Sequence, residues 1–88
     1  MLPEVKAEAL KRLSYVEGHL AGIRRMVEEE KYCVDVLKQT FAVRRAIHKI
    51  ESLILQGHLH THLLEGVREG RDEEVLNELM ELYSLAER

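Results

Sequence analysis

Three side chains in this sequence have types and spacing suited to binding a metal ion: Cys33, His58 and His62. His58 and His62 are four residues apart, so on a helix they share one face and can offer two imidazoles to a single ion. Cys33, the only cysteine, lies 25 positions before His58. On one continuous helix that interval spans roughly 37 Å, at about 1.5 Å per residue. A single protomer cannot close a Cys-His-His site over that distance. A second copy running antiparallel can place its own Cys33 beside the first copy's histidines. One soft thiolate with two imidazoles suits Cu(I), and with a fourth ligand it suits Zn(II) or another borderline ion. Each residue also has a plainer role open to it. A lone cysteine is often a small buried hydrophobe, and histidines near a helix end are often solvated. His60 is expected to point away from the pair, because a step of two residues turns a helix by about 200°.

The elements that must carry these groups are helical. From Glu4 to about Glu29, Leu10, Leu13, Leu20, Ile23 and Val27 recur at helical steps, with Val16 and Met26 widening the stripe. Pro3 precedes the start, and Gly18 and Gly22 offer a smooth face for another helix to approach closely. A charge run, Glu28-Glu29-Glu30-Lys31, marks the turn. A second helix begins near Tyr32-Cys33 and carries Val36, Leu37, Thr40, Phe41, Val43, Ile47, Ile50 and Ile54, continuing toward Leu63 and Leu64. It holds more apolar surface than helix one can cover, which predicts pairing with another subunit. Gly66 and Gly70 mark a helix end and connector. Asp72 is expected to cap a third helix, with Glu73 and Glu74 at its positive end and Val75, Leu76, Leu79, Met80, Leu82 and Tyr83 as its buried stripe. The expected fold is all-α: a single domain over residues 1–88, three helices with the second longest, paired as an antiparallel four-helix-bundle dimer and then a dimer of dimers.

Composition narrows the function classes. The chain has 88 residues, 45% hydrophobic and 33% charged, with no Trp. No apolar run approaches the ~20 residues of a membrane span, and Met-Leu-Pro-Glu lacks a signal core, so a reducing cytoplasm and no membrane partner are expected. The net charge of −3 conceals an uneven distribution. Residues 1–64 carry ten Lys/Arg against eight Asp/Glu, whereas residues 65–88 carry three against eight. Lys11-Arg12, Arg24-Arg25 and Arg44-Arg45, with Lys38 and Lys49, are either solvated faces or, multiplied by oligomer symmetry, a phosphate-binding surface. No Gly-rich phosphate loop, nucleophile elbow or enclosed pocket is in view, so an enzyme is not expected. A metal-buffering helical dimer without a DNA role is the alternative from a different class.

The blocks Arg12-Leu13-x-x-Val16-Glu17-Gly18, Gly22-Ile23-x-Arg25-Met26, Tyr32-Cys33-x-Asp35-Val36-Leu37-x-Gln39, Ala42-Val43-Arg44 and Gly57-His58-Leu59 together resemble the CsoR/RcnR/FrmR repressors. These are small, all-helical, tetrameric bacterial transcription factors, and the resemblance runs over nearly the whole chain. It implies a repressor whose apo form binds operator double-stranded DNA and whose metal-bound form releases it. Copper-sensing members use Cys, His and Cys, which fall here on Cys33, His58 and His62. The nickel/cobalt branch also has His at the third position but adds a His near the N-terminus, and the first His here is His19. The resemblance therefore implies Cu(I), with Ni(II), Zn(II) or formaldehyde (through Pro3) as alternatives. It further implies Tyr32 and Glu78 behind the metal-bound histidine. For DNA it points to Arg12 and Lys49, with Lys11, Arg44 and Arg45 as added basic candidates. Ala21 stands where the family commonly has a basic residue.

Overall fold

A computed structural model describes residues 1–87. The elements in order are α1 (Pro3–Glu28), α2 (Cys33–His58), a π-helical turn (Leu59–Leu63), α3 (Leu64–Arg68) and α4 (Asp72–Ala86). There is no strand among the described residues. The long second helix expected from periodicity is present, but as three consecutive elements. No non-helical residue separates α2 from the π turn, or the π turn from α3. Within the turn, the Thr61 hydroxyl donates to the Gly57 carbonyl at 2.8 Å. Such back-bonding occupies an acceptor of the α ladder at the point where the helix widens. The chain divides into two compact units, Met1–Leu55 and a second beginning at Gln56.

In the first unit α1 and α2 form a hairpin. Its core is Val16 and Ile23 against Val43 and Ile50, with Val36 and Ala46 packed beside them. Ala9, Val16 and Ile23 recur every seven residues, as do Val43 and Ile50, which is the spacing of a narrow helix–helix seam. Within the chain this seam is narrower than the apolar stripe of helix one. Leu10, Leu13, Leu20 and Val27 are 40–58% exposed. One partner helix covers only one stripe, and the branched and small residues on the seven-residue seam occupy it. Within the chain, nothing lies within 4 Å of a Cβ built on Gly18, and Gly22 meets only the Arg25 guanidinium at 3.8 Å. Among the described residues no neighbouring helix packs on that face.

α1 ends in a paired-bond cap. The Lys31 amide donates to the Met26 carbonyl (2.9 Å) and the Glu30 amide to the Val27 carbonyl (3.0 Å). That geometry puts Glu30 at φ +54°, a left-handed position that glycine usually fills.

The second unit contains the π turn, α3 and α4. α3 ends in the same cap, with Arg71 donating to the Gly66 carbonyl (2.7 Å), Gly70 to the Val67 carbonyl (3.1 Å) and Gly70 at φ +77°. Gly66 is buried because α4 comes close: a Cβ there would stand 2.6 Å from Val75 Cγ2. Asp72 does not cap α4. Arg71 holds the cap position without a side-chain bond, and Asp72 is the first helical residue. The tight Gly66–Arg71 bond brings the chain into the helix one residue earlier than expected, leaving Asp72, Glu73 and Glu74 to face the positive helix end from the first turn. Of the stripe expected on α4, Val75 is buried and Leu79 half-buried, while Leu76, Met80, Leu82 and Tyr83 are exposed.

Candidate metal centre and nucleic-acid interface

The last residue of α2 and the π turn present the two histidines side by side. The rings of His58 and His62 have centroids 5.4 Å apart and are tilted by 32°. Sequence spacing anticipated the shared face, although His62 sits on the π turn and not on an α turn. His58 is half-buried, and its Nε2 lies 3.5 Å from Glu78 Oε2 on α4. This brings Glu78 against one of the two candidate imidazoles. His60 and His62 are both exposed.

Cys33 is a free, exposed thiol on the first residue of α2. Tyr32 immediately precedes the helix. Its carbonyl accepts from Asp35 (3.0 Å) and Val36 (3.2 Å), and its side chain is exposed. Among the described residues, no three His, Cys, Asp or Glu side chains gather into a metal-binding group within one chain. The donor chemistry fits a soft ion: a thiol and two imidazoles, with one imidazole turned toward a carboxylate as ligand histidines usually are.

The basic residues divide. Lys11, Arg12, Arg45 and Lys49 line one groove of the first unit, together with Tyr15, Ala42 and Ala46. Arg12 Nε donates to Glu8 at 3.0 Å, so this cation already has a solvated counterion, a pair that contributes little to stability. Arg44 lies apart from the groove, with its guanidinium 5.6 Å from the centre of the Phe41 ring. Of the Arg44-Arg45 pair, only Arg45 lines the groove. Sequence reasoning passed over Tyr15. The signal was its spacing, three residues after Arg12 and four after Lys11, which places all three on one face of α1. It also missed a bond across the hairpin: His19 Nε2 lies 2.7 Å from Gln39 Oε1, and the Tyr15 ring meets His19 edge-on at 6.0 Å.

No described helix is long and apolar enough to cross a membrane. The sequence pattern of the metal-sensitive transcriptional repressors matches residues 5–84. The chain is 40% identical over 80 residues to the copper-sensing transcriptional repressor CsoR of Mycobacterium ulcerans, covering 91% of this chain and 68% of that protein. It spans about two thirds of the length of the mycobacterial relatives it matches. The crystal structure of the copper-sensing repressor CsoR with Cu(I) from Geobacillus thermodenitrificans superposes with a TM-score of 0.92 at 31% identity, over 100% of this chain and 92% of the other. The nickel-responsive transcriptional regulator InrS superposes at 0.75 with 37% identity, over 89% and 88%. The helical fold, the paired histidines and these matches agree: the chain belongs to the family of metal-sensitive transcriptional repressors.

Proposed function

We propose that this chain is a Cu(I)-responsive transcriptional repressor whose apo form holds operator DNA and whose metal-loaded form releases it, freeing genes for copper export or chaperoning. The observation that carries the reading is the His58–His62 pair backed by Glu78, in a chain similar to copper-sensing repressors. Cys33 of one protomer, with His58 and His62 of its partner, supplies the ligands, since the helix between them is too long to bend a single chain onto itself. Bound there, Cu(I) contributes a soft closed-shell centre that accepts three ligands. With Nε2 turned to Glu78, His58 has Nδ1 left to act as a ligand. A ligated imidazole keeps its proton on the other nitrogen and donates it to the carboxylate, which ties α4 to the metal-binding end. The two compact units then work as one sensor domain over residues 1–88. Tyr32, next to Cys33 in the chain, stands with Glu78 behind the metal-bound histidine.

The oligomer is a further part of the reading. On α2 alone, Leu37, Phe41, Ile47 and Ile54 are 36–52% exposed, and no large side chain among the described residues is fully buried. Such surface favours an antiparallel dimer and then a tetramer. Symmetry gives two metal sites per dimer and repeats the basic groove of Lys11, Arg12, Arg45 and Lys49. We assign the chain no catalytic role and place it in the cytoplasm.

The test is an anaerobic titration of Cu(I) into the protein–DNA complex, followed by fluorescence anisotropy, with wild type, Cys33→Ala and His62→Ala side by side. Release at one Cu(I) per protomer, abolished in Cys33→Ala, is the expected result. By linkage, DNA weakens Cu(I) binding by the same factor. DNA binding that Cu(I) leaves unmoved rejects copper, and the similarity to a nickel-responsive regulator makes Ni(II) the next ion to try, followed by Zn(II) and formaldehyde. No binding to any duplex at low salt leaves the metal-buffering dimer.

A further inference from the structure

Resting on the DNA-binding reading above, we infer that Tyr15 is a DNA contact: an uncharged hydrogen-bond donor to a backbone phosphate, set among the cations of the α1–α2 groove. Three observations support it. Tyr15 lines the same groove as Lys11, Arg12, Arg45 and Lys49, so a phosphodiester drawn to those charges passes its ring. The residue is 69% exposed in the single chain, which makes the hydroxyl available. The ring is also held in place. It meets His19 edge-on at 74°, and His19 is fixed by its 2.7 Å contact with Gln39 on the opposite helix. The opposing wall of the groove includes Ala42 and Ala46, whose short side chains leave room for a sugar–phosphate strand beside the ring.

A neutral donor in a cationic groove has a distinct role. Lysine and arginine contacts release counterions and set the salt dependence, whereas a hydroxyl fixes the register of one phosphate without displacing an ion. The two contributions separate in experiment. Labelled duplexes covering the DNA upstream of the protein's own coding region are titrated by anisotropy over a salt series, using full-length wild type, Tyr15→Phe, Tyr15→Ala and Lys49→Ala. Tyr15→Phe is expected to weaken binding about ten-fold, at the lower end of what a hydrogen bond to a charged group contributes, with the slope of log K against log salt unchanged. Tyr15→Ala should match it. Lys49→Ala should instead flatten the slope by about 0.9. Circular dichroism and Cu(I) stoichiometry, which an exposed side chain on α1 does not control, verify that the variants are folded. Binding by Tyr15→Phe equal to wild type overturns the inference and leaves the repressor reading standing. A wild type that binds no duplex removes both.

Discussion

Gly66→Ala tests how closely α3 and α4 are fitted, because two effects of known sign oppose each other there. In a helix, alanine is favoured over glycine by about 1 kcal/mol. Against that, the new methyl would lie 2.6 Å from Val75 Cγ2, whereas carbon atoms rest at roughly 3.5–4.0 Å, so about 1 Å of separation must be found. Val75 is buried and β-branched, with little rotamer freedom to yield, so α4 itself has to shift. Overpacking of that kind costs about 1–3 kcal/mol. Taking about 2, the net effect is a loss of about 1 kcal/mol, or a fall in Tm of about 4–8 °C for a chain this size. In a Val75→Ala background the obstruction is gone and only the helix preference remains, so the same substitution should raise Tm. Thermal melts by circular dichroism of the four proteins, at one fixed concentration because assembly shifts Tm, measure both changes. A Gly66→Ala protein more stable than wild type, or effects that simply add, would refute the account of the α3–α4 contact.

Other substitutions probe separate features. Glu30→Gly relieves the left-handed position at the end of α1 and should stabilise by about 1 kcal/mol in denaturant unfolding. Gly70→Ala imposes that strain on the other cap and should destabilise by a similar amount, read the same way. Arg44→Ala removes a cation that lies outside the basic groove, so its salt slope for DNA binding should stay close to wild type while that of Arg45→Ala falls by about 0.9. Glu78→Gln retains the metal ligands but weakens the acceptor facing His58 Nε2. Cu(I) should still bind at one per protomer, while the Cu(I)-induced loss of DNA affinity shrinks, both followed in the anisotropy titration.

Helical periodicity gave the helices and nearly their ends, because residue spacing and backbone geometry share one period. It could not say which part of an apolar stripe is covered inside a chain. Leu13 and Leu20 read as core as well as Val16 and Ile23 do, and only the packing of α2 chooses between them. The His58–His62 pair was legible because a four-residue step keeps one face on either an α or a π turn. The π turn itself was not, since a single widened turn leaves no mark in the spacing of the apolar residues. Asp72 was misread because its cap chemistry is real, but the cap of α3 had already set where α4 begins. Of the Arg44-Arg45 pair, only Arg45 lines the groove, while Arg44 lies over the Phe41 ring, and the linear sequence does not separate the two.

The π turn makes the spacing of this region depend on a single residue. A π turn closes its hydrogen bonds over five residues where an α turn closes over four, so Leu59–Leu63 holds about one residue more than an unbroken helix would. Loss of one residue there would let the ladder close as α over nearly the same rise and rotation, so α3 and α4 would keep about their present places. Glu78 would stay against His58, but a loss between the two histidines would leave them three residues apart in place of four. The extra residue is taken up inside the turn, and what it sets is the offset between the two imidazoles and not the place of α4.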